Sequence, residues 1–175
     1  MISTEFVTNF LSTLTLIGGI FIIGFLIFFV YHRGIKKRHP SLRFLEDNAL
    51  FFAFIISLIA TFGSLFYSEI AGYTPCKLCW YQRTFMYPQT ILLGTALLRK
   101  AKNIVYYIVP LSVIGGAIAV YHYFIQRAEY VASCSADGVS CTSKYVFHFG
   151  YITIPMMALT AFGLIIIFTY LNKKR

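Results

Sequence analysis

Residues 104–124 read IVYYIVPLSVIGGAIAVYHYF, a stretch without a single Lys, Arg, Asp or Glu. A helix needs about 20 apolar residues to cross the hydrocarbon core of a bilayer, so this stretch is long enough to span a membrane. Lipid offers the backbone no hydrogen-bond partner, and a span of this kind must therefore be helical. The stretch predicts a transmembrane helix, and the sequence on both sides of it repeats the pattern.

Four further uncharged stretches predict an all-α integral membrane protein with five spans. They are Phe10–Tyr31, Ala49–Tyr67, Thr84–Leu98 and Gly150–Leu171. Thr84–Leu98 is short, and it reaches full length only if its helix starts near Cys76. The chain has 175 residues, of which 58% are hydrophobic and 12% charged, with a mean hydropathy of +0.73. This balance excludes a soluble globular domain, a disordered chain and a coiled coil.

The basic residues predict how the spans are oriented. The chain carries 15 Lys and Arg against 6 Asp and Glu, a net charge of +9. Most of the basic residues fall after the first, third and fifth spans. Cytoplasmic loops are enriched in Lys and Arg, so we expect the N-terminus outside and the C-terminus inside. The basic excess is then a topology signal, which argues against a nucleic-acid partner.

The spans divide the chain into two parts. Residues 1–48 are expected to hold an extra N-terminal transmembrane helix and a polar cytoplasmic linker that Pro40 interrupts. Residues 49–175 are expected to form a four-helix transmembrane bundle. No basic segment precedes the first span, and the span is too long for a signal peptide, so we expect it to be retained.

All four cysteines fall in or beside the two connections that the charge pattern places outside. Cys76 and Cys79 form a C-x-x-C unit, and Cys134 and Cys141 form a C-x6-C pair in the longer connection. Disulfides persist in extracytoplasmic compartments, in agreement with this orientation. Zinc would require all four to stay reduced there, and C-x6-C departs from the usual spacing of paired zinc ligands. We therefore expect no metal.

A membrane transporter or structural protein with two structural disulfides is the alternative to a redox role. That reading explains Cys134 and Cys141 adequately. It explains the C-x-x-C pair poorly, because so short a loop contributes little entropic stabilisation and strained pairs are more often labile. A transporter would also be expected to carry several acidic or polar groups near the middle of the bilayer, and we expect none there from the uncharged stretches.

The C-x-x-C unit stands where a helix is expected to begin. Pro75 precedes Cys76, and proline is favoured in the first helical turn. Free N–H groups and the helix dipole favour an anion at this end, so a thiolate there has a lowered pKa and is the reactive form. Cys76, Cys79 and Arg83 are spaced i, i+3 and i+7 and share one helix face.

Arg83 and Gln82 are candidates for binding a lipophilic cofactor beside this pair. The planar, permanently charged guanidinium of Arg83 is suited to polarising a carbonyl. The alternative is that Arg83 reaches the lipid headgroups or pairs with Glu69, since a cation at that depth needs a partner. Gln82 either adds a hydrogen bond to the cofactor or packs against a polar group of another helix.

His122 lies near the outer end of the 104–124 span, at about the depth of Cys79. Its ring N–H is able to donate to a quinone oxygen or to pass a proton. The alternative is a hydrogen bond that only joins two helices. Gln126 and Arg127 follow near the loop, where we expect them to face headgroups.

The segment Pro75–Arg83, PCKLCWYQR, resembles the DsbB family of disulfide bond formation proteins, including its Bacillus-type members. In that family a P-C-x-L-C-x-x-x-R unit stands at the outer start of a transmembrane helix, and a second cysteine pair lies in the next outer loop. His122 matches a family histidine by position, and Ile154-Pro155-Met156 is similar to the family's entry into the last span. The resemblance covers about Ala49–Leu171 and leaves Phe10–Tyr31 as an added span.

This resemblance implies a quinone-dependent protein-dithiol oxidase in the bacterial plasma membrane. An extracytoplasmic thioredoxin-like protein of the DsbA type would pass two electrons to Cys134–Cys141, which would pass them on to Cys76–Cys79. Cys79 would then contact a quinone of the ubiquinone or menaquinone type.

The resemblance also implies how the site is divided. Arg83 would stabilise negative charge on a quinone oxygen, and His122 and Gln82 would help to bind the ring. The connection between Gln126 and Phe149 is long and polar, so we expect it to move as the carrier of one pair. The C-x-x-C pair would be fixed to a helix end.

Overall fold

The computed structural model describes residues 3–31, 40–99, 101, 103–128 and 140–173. The helices are α1 (Thr4–Tyr31), α2 (Pro40–Asp47), α3 (Ala49–Leu65), α4 (Lys77–Arg99), α5 (Val105–Ala128) and α6 (Ile154–Lys173). A π-helical turn, Phe66–Ile70, continues α3. The only β-type pairing in these ranges is an isolated bridge between His148 and Ile152, so the all-α class is confirmed.

Four helices are long and apolar enough to cross a membrane. They are α1, α3 with its π-helical turn, α5 and α6. α4 has 23 residues, which is also a sufficient length, but it carries polar residues that include Gln82, Arg83 and Gln89. The prediction of several transmembrane helices is therefore confirmed for four of them, while the fifth span and the orientation stay predictions.

α1 buries small and polar residues and exposes large apolar ones, the reverse of a helix in a soluble bundle. α1 buries Thr8, Ser12, Thr15 and Gly18, whereas Ile20 on its outward face is 63% exposed. Lipid solvates large apolar side chains well, and small side chains allow helices to approach one another closely. This pattern suits a helix that packs on protein along one face and on lipid along the other.

Antiparallel packing brings three helix ends together. Gly94 near the end of α4 packs against Phe54 near the start of α3. At the other end of the bundle, the first turns of α4 contact Ser64 near the end of α3 and His122 near the end of α5. The start of α4, where the cysteine pair lies, is therefore enclosed by its two neighbours.

Two elements differ from the predicted boundaries. α1 begins at Thr4 rather than Phe10, and Glu5 in its first turn stabilises that end because a carboxylate complements the helix dipole. The predicted polar linker contains α2, which begins at Pro40, since proline fits the first turn of a helix as well as it interrupts one. By contrast, the start of α4 at Lys77 agrees with the predicted early start near Cys76.

Gly115 on α5 provides a test of the packing. An added Cβ at this position would lie 2.6 Å from Cε1 of Phe162, whose ring is 1% exposed and so has little room to move. We expect Gly115→Ala to destabilise the protein by about 1–3 kcal/mol, measured as a lower midpoint of thermal unfolding in detergent. Gly19→Ala is the matched control, because no atom lies within 4 Å of its added Cβ. Equal midpoints for the two variants would contradict this packing.

Candidate functional site

Cys76 and Cys79 lie at the start of α4. The carbonyl oxygen of Cys76 accepts the N–H of Trp80 at 3.1 Å, so Cys76 is the N-cap residue and Cys79 lies in the first turn. The thiol of Cys76 donates a hydrogen bond to the sulfur of Cys79 at 3.4 Å. The pair is thus in its reduced form, with the two sulfurs close enough to form a disulfide on oxidation.

The pKa of the Cys76 thiol is raised to about 12. The main cause is the hydrogen bond that it donates to Cys79, followed by burial, which disfavours the charged form; a hydrogen bond with His122 opposes both. The sequence predicted a lowered pKa at this helix end, and for Cys76 that prediction is wrong. The thiol proton between the two sulfurs stays on Cys76, and the sulfur of Cys79 accepts the hydrogen bond.

His122 joins the start of α4 to the longer connection. The side-chain amide of Gln82 donates to Nδ1 of His122 at 3.0 Å, which leaves Nε2 to carry the ring proton. Nε2 lies 3.1 Å from the carbonyl oxygen of Cys141 and 3.7 Å from Sγ of Cys76. The imidazole is 1% exposed, so it is held in one orientation from both sides and faces Cys76.

Cys141 is brought to the C-x-x-C pair. It is 1% exposed and belongs to one apolar cluster with Cys76, Leu78 and Ile125. The structure therefore brings together three of the four predicted site cysteines from two separate connections. Cys134 lies outside the described residues.

The second part of the longer connection is fixed to α5. The side-chain amide of Gln126 donates to the carbonyl oxygen of Ser143 at 3.0 Å, and Gln126 is buried. The prediction that Gln126 faces headgroups is therefore wrong, whereas the movement of the connection stays a prediction. The spacing between His122 and Gln126 is a sequence signal for this anchor, because residues four apart share a helix face.

A cavity of about 240 Å³ lies beside Cys79, Gln82 and Arg83. Apolar side chains from α1, α3 and α6 line much of it, among them Leu11, Leu14, Ile56, Ile59, Met157 and Leu164. The spacing of Cys79 and Arg83 predicted that they face the same way, and they do line the same cavity. The sulfur of Cys76 faces His122 instead.

The guanidinium of Arg83 is held at the wall of this cavity by Ser64. Nε donates to the hydroxyl oxygen of Ser64 and a terminal nitrogen donates to its carbonyl oxygen, each at 2.9 Å. The group also lies 5.3 Å from the centre of the Trp80 ring, an attractive cation–π distance. Within the described residues Arg83 is thus paired with Ser64 and not with Glu69. The sequence carries no motif that would have identified Ser64.

Three stacked tyrosines border the cavity near the start of α4. The ring centroids of Tyr67 and Tyr73 are 5.7 Å apart, and those of Tyr73 and Tyr145 are 4.8 Å apart. All three line the cavity, and Tyr73 lies three residues before Cys76. We call these residues the tyrosine stack.

The same groups have a geometry that a metal ion could use. The ligand atoms of Cys76, Cys79 and His122 all lie within 4.8 Å of one another. A soft ion such as Zn²⁺ binds thiolate and imidazole together. It would occupy both sulfurs, so metal binding and disulfide formation exclude one another at this pair.

Comparisons with known proteins place the chain among proteins of disulfide formation. Residues 46–172 match the family model described as disulfide bond formation protein DsbB. The chain is 45% identical to a probable disulfide formation protein C 1 of Bacillus anthracis over 131 residues, which are 74% of this chain and 94% of that protein. It is 42% identical to disulfide bond formation protein C of Bacillus subtilis, over 71% of this chain and 91% of that protein. No solved structure gives a significant match.

Gln82 provides a test of the role of His122. We expect Gln82→Leu to slow the alkylation of Cys76 in the reduced protein about 3- to 10-fold, because Nε2–H is no longer held toward the sulfur and loses a hydrogen bond of about 1 kcal/mol. Mass spectrometry of the Cys76 peptide measures this rate. Gln89→Leu is the control, since it breaks an equally buried bond, with Ser112 at 2.8 Å, deeper on the same helix. The same change in rate in both variants would leave His122 with a purely structural role.

Proposed function

The chain belongs to the DsbB family of disulfide bond formation proteins, and on this premise we propose that it is a quinone-dependent protein-dithiol oxidase. Family membership makes it an oxidoreductase with a role in disulfide formation, and its four long apolar helices fit a multi-pass membrane protein. The proposal adds the electron acceptor, the partner and the role of each residue. The observation that carries it is that Cys79 and Arg83 line one apolar cavity, while the sulfur of Cys76 lies 3.7 Å from Nε2 of His122.

The proposal places both cysteine pairs on the extracytoplasmic side of a bacterial plasma membrane. α4 is then a fifth span, packed between α3 and α5, with its polar residues turned toward protein rather than lipid. Gln82 and Gln89 are 6% and 0% exposed, which supports this. Five crossings put the N-terminus outside and the basic C-terminus inside.

The residues at the cavity fit a membrane quinone of the ubiquinone or menaquinone type. Apolar walls suit an alkylated ring, and Arg83 presents a permanent positive charge where a carbonyl oxygen requires a donor. The arginine has five N–H donors, and Ser64 takes two of them. When bound, a quinone accepts two electrons and two protons and leaves as the quinol.

Electrons enter from the dithiol of an extracytoplasmic thioredoxin-like partner of the DsbA type. One partner thiolate attacks the Cys134–Cys141 disulfide and forms a mixed disulfide with the chain. The second partner thiol resolves it, so the partner leaves oxidised and the two cysteines of the chain are left as thiols. Because Cys141 is only 1% exposed, we assign the contact with the partner to Cys134.

Exchange within the chain then passes the two electrons to the C-x-x-C pair. The Cys141 thiolate attacks Sγ of Cys76, and Cys79 leaves as a thiolate toward the cavity. Cys134 attacks the new Cys76–Cys141 bond, which restores the Cys134–Cys141 disulfide and releases Cys76. His122 Nε2–H faces Cys76 at 3.7 Å, so it stabilises that sulfur as it gains negative charge.

The last step returns Cys76 and Cys79 to a disulfide. Two electrons and the two thiol protons go to the acceptor in the cavity, so the reaction balances. Cys79 is the sulfur that faces the acceptor, and Arg83 stabilises the negative charge that develops beside it. Such preorganised charge is often the largest contribution to catalysis.

A direct test uses the protein purified in detergent with a reduced thioredoxin-like dithiol protein and a soluble ubiquinone analogue. We expect the absorbance of the oxidised quinone to fall in a 1:1 ratio with the disulfide formed in the donor. Donor oxidation without loss of the quinone absorbance would refute quinone dependence.

Two cysteine variants separate the two halves of the path. We expect Cys79→Ser to abolish quinone reduction with every thiol donor, because the sulfur that faces the cavity is lost. We expect Cys134→Ser to abolish oxidation of the protein partner but to retain slow oxidation of a small dithiol, which is able to reach Cys76–Cys79 directly. Steady-state rates with both donors measure this, and full turnover in either variant with the protein donor would contradict the relay.

Arg83→Gln tests the cation at the cavity. We expect kcat/KM for the quinone to fall about 10- to 1000-fold, as when one charge-stabilising donor is removed from an active site. Arg127→Gln is the matched control, because Arg127 bonds Tyr123 at the exposed end of α5 and does not line the cavity. Equal kinetics for Arg83→Gln and the control would reduce Arg83 to a structural contact of Ser64.

A further inference from the structure

The segment with α1 lies outside the part of the chain that defines the family. The family model begins at residue 46, and α1 ends at Tyr31. None of the residues to which the proposed reaction assigns a chemical step lies on α1. Its placement in the bundle nevertheless connects it to the site.

α1 packs closely on α6 through small residues and touches α3 at Gly63. A Cβ added to Gly18 would lie 2.9 Å from a methyl group of Leu164 on α6, and one added to Gly63 on α3 would lie 3.0 Å from a methyl group of Leu11. The hydroxyl of Tyr67 lies 3.5 Å from that of Thr8. These contacts hold α1 in one position along the mouth of the cavity between α3 and α6.

Three side chains of α1 line the cavity itself: Leu11, Leu14 and Thr15. We call them the α1 wall. Thr8 contacts Tyr67 of the tyrosine stack. This contact fixes the position of α1 along its axis relative to the start of α4. Leu14 follows Thr8 by six residues and so lies about 9 Å further along the helix axis. Leu14 is therefore displaced from the end of the cavity that holds Cys79, further along α1 than Leu11, which packs against Gly63.

We propose that the α1 wall binds the first part of the apolar tail of the quinone. The protein thereby has a specificity surface for the quinone tail that the family core lacks. This inference rests on the proposed function. A ring placed between Cys79 and Arg83 directs its substituent away from the polar end of the cavity, toward apolar walls. Leu11 and Leu14 of α1 line that space together with Ile59 of α3 and Leu164 of α6.

Fluorescence provides a binding measurement that does not depend on turnover. Trp80 is the only tryptophan of the chain, and its ring lies 5.3 Å from the guanidinium carbon of Arg83. A quinone bound at the cavity quenches it. Titration of the full-length protein with a benzoquinone that carries a decyl chain, and with the same ring without the chain, gives the two dissociation constants.

We expect Leu14→Ala to raise the Kd of the decyl quinone about fivefold, because it removes apolar contact area, and to change the Kd of the chainless ring less than twofold. Leu14→Met conserves volume and is expected to retain the wild-type values, which separates loss of contact from loss of folding. Ile20→Ala is the matched control on the lipid-facing side of α1, where Ile20 is 63% exposed, and is expected to change neither constant.

The possible outcomes separate this inference from the proposed function. If the wild-type protein binds and reduces both quinones but Leu14→Ala behaves like Ile20→Ala, the α1 wall is refuted and the oxidase stands. If Leu14→Ala weakens both quinones equally, the wall does not recognise the tail. If the wild-type protein neither binds nor reduces a quinone, the proposed function fails and this inference fails with it.

Discussion

The contact between Arg83 and Ser64 is the constraint on which the site depends. A guanidinium beside an apolar cavity loses hydration, and it is retained only if protein groups replace the water. Ser64 supplies both a hydroxyl and a backbone carbonyl oxygen. That carbonyl lies near the end of α3, just before the π-helical turn Phe66–Ile70, where the regular pairing of the backbone changes. The cation is thus fixed by the preceding helix.

Helix geometry divides the two cysteines between two tasks. Residues three apart differ by about 300° around the helix axis, and so by about 60° in direction. Cys76 is also the N-cap residue, with a backbone conformation outside the helix. The small angular difference lets Cys76 face His122 while Cys79 lines the cavity, with the sulfurs only 3.4 Å apart. In the proposed reaction, electrons that arrive at one sulfur therefore leave from the other without a large movement.

The sequence was sufficient for features that depend on local periodicity. Apolar length predicted the helices, and the spacing of Cys79 and Arg83 predicted that both face one way. It was insufficient where the decisive partner is distant in the chain. Ser64 holds Arg83 from a helix whose sequence carries no motif, and Gln126 is buried only because the second part of the longer connection folds onto α5. The raised pKa of Cys76 comes first from the hydrogen bond that its thiol donates to Cys79 and then from burial, and the dipole of α4 alone predicts neither effect.

An added helix can extend such a site without disturbing its chemistry, because the reactive groups lie on other helices than α1. Cys79 and Arg83 depend on α3, α4 and α5, which lie within the matched region 46–172. α1 touches this core through residues that are small or flexible, and the large side chains on its other face suit lipid. In a membrane there is little hydrophobic gain from bringing α1 to the bundle, so its position must come from close packing. The side chains that α1 presents to the cavity can then vary while the cysteines and Arg83 stay fixed, so in the proposed function selection of the acceptor is separate from its reduction.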